Sequence, residues 1–415
     1  MSRLKIEGGH KLTGNIKISG AKNSAVALIP AAILSKNNST ILNVPKISDI
    51  KYLIEIMELL NCKISVKDDT MFIDTSKIKY HSIPEELSQM MRASYYYMGA
   101  MLAKFKKAEI SFPGGCKIGN RPIDLHLKGF KKLGVQIKQE KNKYTLTAKE
   151  LIGTKIYLDF ASVGATINLM LAAVGAKGIT TIENAAKEPE IVNIASFLIN
   201  MGVQIKGAGT STITVVGSKN LDKGIVEVFP DRIEAATYII AGALTGKDLV
   251  IEGIIKEHID AVLNKLTEAN VSYKTEKDKI TISKAKNIKP VNIKTLVYPG
   301  FPTDVQQCFT TLLTQAKGTS KIIETIYDSR FKNTEYLNLM GAKTKYNGNI
   351  LEIEGITKLT GTEVYANDLR GGASLVLAGL IAKGETTIDN TEHILRGYED
   401  IVLKLQKVGA KIEEI

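Results

Sequence analysis

A nine-residue stretch near the N-terminus recurs near the C-terminus: Ile6–Gly14 reads IEGGHKLTG and Ile353–Gly361 reads IEGITKLTG, identical at seven of nine positions. Internal repetition constrains a fold more than any local propensity, because each copy must form the same supersecondary unit and bury the same face.

Tracing the repetition along the chain gives a period of about 70 residues. Helix starts fall at Lys22, Arg92, Ser162, Asp231, Asp304 and Asp368, at intervals of 70, 70, 69, 73 and 64. Each start leads into a helix of small and apolar residues, such as GATINLMLAAV or EAATYIIAGAL. Helices apolar on all sides are expected to be buried. A short strand follows, then a second helix with one apolar stripe, such as IVNIASFLINMG, which is expected to lie outside. Two alternating strands close each repeat, as in KTKYNGNILEIEG, where Asn347-Gly348 reads as a hairpin turn.

The sixth repeat ends at Ile415, one strand short. Arg3–Ser19 resembles the missing strands, so the N-terminus is expected to pair into the last repeat and close it. The expected architecture is α/β: two domains, helices inside and sheets outside, built from six β-α-β-α-β-β repeats. One domain takes residues 22–229, the other 1–21 plus 230–415, with two chain crossings that would make a hinge and a cleft.

The 415 residues carry 55 Lys+Arg against 43 Asp+Glu, a net charge of +12, which fits either a lysine-rich solvated surface or an anionic partner. With 44% hydrophobic residues the chain is neither disordered nor collagen-like. Three cysteines cannot staple a chain of this size and point to a reducing compartment or to one special thiol. Neither a signal-peptide core nor an apolar run of about 18 residues is present, so a cytoplasmic protein is expected.

Only seven of the cations are arginine: Arg3, Arg92, Arg121, Arg232, Arg330, Arg370 and Arg396. All but Arg3 sit at repeat joints or helix starts, with Lys22 in the same class of position. A helix N-terminus already carries partial positive charge, so cations placed there repeatedly call for an explanation. One is an anion held between helix ends and guanidinium groups. The other is pairing of each arginine with a nearby carboxylate such as Asp124, Asp328 or Glu399.

Two further segments stand out. Phe112–Asp124, FPGGCKIGNRPID, reads as a surface loop that sets Cys116 among cations, where it is either an inert loop cysteine or a thiol of lowered pKa suited to proton transfer. Cys62 and Cys308, within apolar helical runs, read as core residues. Tyr298–Asp304, YPGFPTD, delivers Asp304 to a helix start, where it serves either as an N-cap or as a general base. None of the five histidines has a partner at metal-ligand spacing, and no Walker loop, dinucleotide fingerprint or G-x-S-x-G element occurs, so no metal or cofactor is expected.

Taken together, SGAKN (19–23), MRAS (91–94), PGGCKIGNRPIDLH (113–126), SVGAT (162–166), ENAAKEPEIV (183–192), PDRIE (230–234), FPTD (301–304), NDLR (367–370) and RGYE (396–399) resemble the enolpyruvyl transferases, specifically the UDP-N-acetylglucosamine 1-carboxyvinyltransferase family of peptidoglycan synthesis. The resemblance spans nearly the whole chain and implies an inside-out α/β barrel pair. It also implies a reaction: the 3'-hydroxyl of UDP-N-acetylglucosamine adds to C2 of phosphoenolpyruvate, C3 gains a proton, and the tetrahedral intermediate loses phosphate. By position, Cys116 corresponds to the proton donor, the thiol that fosfomycin alkylates, and Asp304 to the base. Lys22, Arg121 and Arg396 correspond to the groups holding the phosphate and carboxylate of phosphoenolpyruvate, with Arg330 and Arg370 lining the same cleft. Asn23, Arg92, Arg121, Pro122, Ile123, Asp124, Leu125, Ser162, Val163, Gly164, Asp304, Ile326 and Tyr327 correspond to the sugar-nucleotide contacts.

The sequence departs from that pattern at Phe160, where many relatives carry lysine, and at Phe331-Lys332. Gly371-Gly372 is expected to loosen the helix start after Arg370. The shikimate-pathway synthase shares the fold, but the cysteine loop speaks against it. Retained Lys22, Cys116, Asp304 and Arg396 speak against an inactive regulatory paralogue. A nucleic-acid-binding repeat protein would show basic stripes with interleaved aromatics, whereas here aromatics are 6% and lysines are scattered. The expected partners are therefore phosphoenolpyruvate and UDP-N-acetylglucosamine, with no nucleic acid and no membrane.

Overall fold

The computed structural model describes residues 2–112, 114 and 122–415. They divide into two compact units, one of residues 20–229 and one joining 2–19 to 230–415, each with its own hydrophobic core.

One sheet pattern recurs. In the second unit, strand Asn292–Lys294 runs parallel to Gly318–Ile323, which pairs antiparallel with Ile350–Gly355, which pairs antiparallel with Lys343–Asn347. A buried helix separates the first two strands in sequence and an outer helix separates the second from the third. Four more four-stranded sheets share this order. In the first unit, the sheet of Lys107–Ser111, Lys143–Thr147 and Gln136–Glu140 has three strands. Among the described residues, its edge is met by a backbone bond from Ile83 N to the Glu109 carbonyl (3.3 Å).

The N-terminal strand Leu4–Glu7 lies between Glu385–Asp389 and Lys411–Glu414, antiparallel to both, and supplies the strand the last repeat lacks. The rest of the N-terminal segment departs from expectation. Leu12–Lys17 leaves that sheet and runs parallel to Gly246–Glu252, forming the edge of a different one. The duplicated sequence explains the step. Gly8 and Gly355 are equivalent, each leaving a central strand for the edge of the next sheet. A Cβ on Gly8 would lie 2.1 Å from the carbonyl oxygen of Ala382, and one on Gly355 would lie 2.2 Å from that of Ala316. Both glycines are thus required by close backbone approach to the end of a buried helix.

Helices Arg232–Thr245, Thr303–Leu313 and Leu369–Ile381 pack on one another within the second unit. In the first unit, Tyr96–Phe105 packs against both Lys22–Ala31 and Val163–Val174. Eleven of the twelve residues of Val163–Val174 are buried, as its composition requires. Asp231 and Asp368 cap their helices, each accepting two backbone N–H groups. Arg92 opens a short 3-10 turn, Arg92–Tyr95, ahead of the α-helix.

Two local expectations are corrected. The hairpin turn falls at Gly348-Asn349, because Asn347 pairs with Ile350. Gly371-Gly372 do not loosen their helix; they let it pack closely. A Cβ on Gly372 would sit 2.5 Å from Ile394 Cγ1, and one on Gly371 would sit 2.9 Å from Asp368 Oδ2.

Candidate active site

In the second unit the chemistry gathers on Asp304. Pro302 occupies the cap position of helix Thr303–Leu313, and Asp304 lies in its first turn. Its carboxylate does not cap. Oδ1 accepts a hydrogen bond from Arg330 Nη2 at 2.6 Å, and Oδ2 lies 3.5 Å from Arg370 Nη2. Both arginine side chains are only 3% exposed, while 28% of the Asp304 side chain remains open. Arg330 also donates through Nε to Gln307 Oε1 (3.3 Å), one turn further along the same helix. The Tyr398 ring lies 5.3 Å from the Arg370 guanidinium, and its hydroxyl bonds Thr237 at 2.9 Å.

Burial alone would raise the Asp304 pKa. The fields of Arg330 and then Arg370, with the bond from Arg330, outweigh it and hold the carboxyl well below the usual range. Two near-buried guanidinium groups on one carboxylate make a fixed positive patch that an anion of suitable shape can share. The two explanations offered for the arginines thus meet at one place: Arg330 and Arg370 do pair with a carboxylate, but it is Asp304 rather than a neighbour in sequence.

Ile326 and Tyr327 lie in the loop that joins strand Gly318–Ile323 to this cluster. Their backbone N–H groups donate to Glu324 Oε1 at 2.8 and 3.3 Å, and the Tyr327 ring lies 5.2 Å from the Arg330 guanidinium. Glu324 and Gln307 escaped the sequence reading. Arg396 follows the short helix Glu392–Leu395, half-buried. The Arg232 guanidinium lies 5.6 Å from the Tyr298 ring. Arg3, the one arginine away from repeat joints, pairs with Asp389 and Glu363.

In the first unit, Lys22 opens helix Lys22–Ala31, whose first turn has no acidic residue and no capping side chain. Its Nζ lies 2.9 Å from Asp49 Oδ2, with the side chains 13% and 4% exposed. Asn23 follows, half-buried. Arg92 stands over the Tyr95 ring at 5.5 Å, and Tyr95 meets His126 edge-on at 4.9 Å. Asn168 Oδ1 accepts from Gly99 N (2.8 Å), so its Nδ2 donates to His126 Nδ1 (3.0 Å), which fixes the ring as neutral. Burial, reinforced by Arg92, pushes the His126 pKa down to about 3.

Ser162 caps helix Val163–Val174 by accepting Ala165 N at 3.3 Å. A Cβ on Gly164 would come within 2.6 Å of the Tyr95 hydroxyl, so Tyr95 links Arg92 to that helix start. A helix N-terminus beside a guanidinium suits a phosphate. Tyr95 and His126 were not singled out from sequence, although His126 ends the quoted motif. Pro122 and Asp124 are exposed, Leu125 is half-buried and Ile123 is buried. Phe160 is exposed. Cys116 and Arg121 lie outside the described residues. Cys62 and Cys308 are core residues, 5% and 0% exposed.

The family model for EPSP synthase (3-phosphoshikimate 1-carboxyvinyltransferase) matches residues 6–405. The chain belongs to this enolpyruvyl transferase family. It is 51% identical over 413 residues to UDP-N-acetylglucosamine 1-carboxyvinyltransferase 2 of Bacillus cereus, covering 99% of this chain and 96% of that protein. It is equally identical over 410 residues to the protein of the same name from Listeria monocytogenes, covering 99% and 97%. Among solved structures, the enolpyruvyl transferase NikO from Streptomyces tendae superposes with a TM-score of 0.92 at 27% identity, covering 100% of this chain and 98% of that one. An EPSP synthase from Acinetobacter baumannii reaches 0.78 at 18% identity over all of both chains, a likeness of fold alone. The two-domain α/β architecture of the family is thus shared by this chain.

Among the described residues, no helix is long and apolar enough to cross a membrane, and no group of three or more His, Cys, Asp or Glu side chains could hold a metal ion.

Proposed function

We propose that this chain transfers the enolpyruvyl group of phosphoenolpyruvate to the 3'-hydroxyl of UDP-N-acetylglucosamine and releases phosphate, the committing step of peptidoglycan synthesis, in the cytoplasm. The observation that carries this reading is the 51% identity, over 99% of the chain, to proteins named for that activity. The Asp304–Arg330–Arg370 cluster supports it chemically.

In this reading Cys116 delivers a proton to C3 of phosphoenolpyruvate during addition, and C3 gives up a proton again as phosphate leaves, which restores the C=C bond of the enolpyruvyl product. During the addition positive charge builds at C2, which makes the attacking hydroxyl strongly acidic as the new C–O bond forms. A weak base suffices at that moment, and an Asp304 kept ionised by two arginines is such a base. Lys22, Arg121 and Arg396 hold the phosphate and carboxylate of phosphoenolpyruvate. Arg330 and Arg370 supply fixed positive charge without reorganisation. Asn23, Arg92, residues 121–125, Ser162–Gly164, Asp304, Ile326 and Tyr327 hold the sugar nucleotide, with Arg92 and the helix start at Ser162 suited to its diphosphate.

Phosphate release with phosphoenolpyruvate and either UDP-N-acetylglucosamine or shikimate 3-phosphate tests the reading. Release with the first acceptor alone is expected. Release only with the second would assign the chain to the activity in the family's own description.

A further inference from the structure

We infer that Glu324 is a positioning residue that holds the sugar-nucleotide loop and the Asp304 helix in one fixed arrangement; this rests on the reading of Ile326, Tyr327 and Asp304 given above. Glu324 is 2% exposed and carries no salt bridge among the described residues. A buried carboxylate without a direct salt bridge is tolerated only where donors surround it, and here four do. Oε1 accepts the Thr295 hydroxyl (2.8 Å), Ile326 N (2.8 Å) and Tyr327 N (3.3 Å). Oε2 accepts the Thr303 hydroxyl at 2.8 Å.

The two oxygens act on different elements. Oε1 folds the backbone of residues 324–327 back on itself. Thr295 reinforces this, because its hydroxyl also accepts Thr325 N at 2.9 Å. Oε2 grips Thr303, the first residue of the helix whose second residue is Asp304. The circuit closes at the other end, where the Tyr327 ring lies 5.2 Å from the Arg330 guanidinium and Arg330 bonds Asp304. One carboxylate thereby sets both where the acceptor substrate rests and where its proton goes, although it touches neither.

Three variants test this: Glu324→Ala, Glu324→Gln and Thr303→Val. Calorimetric affinity for UDP-N-acetylglucosamine, steady-state phosphate release and amide exchange at Ile326 and Tyr327 are measured on the full chain. Glu324→Ala leaves its donors without an acceptor and is expected to weaken sugar-nucleotide binding by about 10- to 100-fold and to lose exchange protection at both amides. Glu324→Gln keeps one oxygen for the three Oε1 donors and an N–H for the Thr303 hydroxyl, so both quantities should return to within about threefold of wild type. Thr303→Val cuts only the Oε2 arm and should lower kcat by a larger factor than it weakens that affinity, with exchange protection at Ile326 and Tyr327 kept. Wild-type affinity in a folded Glu324→Ala chain, or equal damage from Glu324→Gln, would overturn the inference. A wild-type chain that does not bind UDP-N-acetylglucosamine would instead defeat the functional reading, and amide exchange would still report whether Glu324 orders the loop.

Discussion

Arg330 Nη2 stands 2.6 Å from Asp304 Oδ1, and this pair governs the behaviour of both groups. The guanidinium, almost wholly buried, is balanced mainly by that carboxylate, with Arg370 drawing on its other oxygen. An anion that engages either arginine weakens the hold on Asp304 and makes it a stronger base at the moment a proton has to be taken.

Asp304→Asn tests that coupling. The amide oxygen can still accept from Arg330, so the helix start is preserved, but the proton acceptor is gone. Phosphate release should fall by about 10²- to 10⁴-fold, the usual yield of a general base, with circular dichroism unchanged. Turnover near the wild-type level would remove Asp304 from that role.

His126 predicts an acid weakness in the first unit. Its folded pKa of about 3 lies below the unfolded value near 6.5, because burial and then Arg92 disfavour the charged ring. The unfolded chain therefore binds the extra proton first. The stability contribution is complete above about pH 6.5 and drains away as pH falls toward 3. Denaturant unfolding should show a loss on the order of 3 kcal/mol from this residue by pH 4. His126→Gln, which can still accept from Asn168, should flatten that slope; an unchanged slope would show that other groups set it.

Thiol chemistry should be confined to one residue. Burial pushes Cys62 up to about 12 and Cys308 up to about 11, so neither offers thiolate at neutral pH. Fosfomycin should add a single adduct at Cys116, and Cys116→Ser should lose both the adduct and most phosphate release near neutral pH. Peptide mass spectrometry that finds the label on Cys62 or Cys308 would contradict the burial argument.

Much of this was legible in the residues because repetition wrote it six times. Asp231 and Asp368 announce helix starts by their capping chemistry, and small apolar runs such as GATINLMLAAV announce buried helices. Other features were closed to sequence. Asp304 has the same local signature as a cap, and only the approach of Arg330 and Arg370, 26 and 66 residues further on, separates the roles. Glu324 looks like any carboxylate at a strand end, and its four donors converge only once the chain has folded. Leu12–Lys17 has the alternation of a strand but carries no mark of which sheet it will join.

The place of Leu4–Glu7 between Glu385–Asp389 and Lys411–Glu414 bears on biosynthesis. Leu4–Glu7 leaves the ribosome hundreds of residues before either of its flanking neighbours. Among the described residues, the sheets of 20–229, by contrast, draw all their strands from that same range. During translation that half can finish its sheets while Leu4–Glu7 stays unpartnered until Glu385–Asp389 and Lys411–Glu414 have been made.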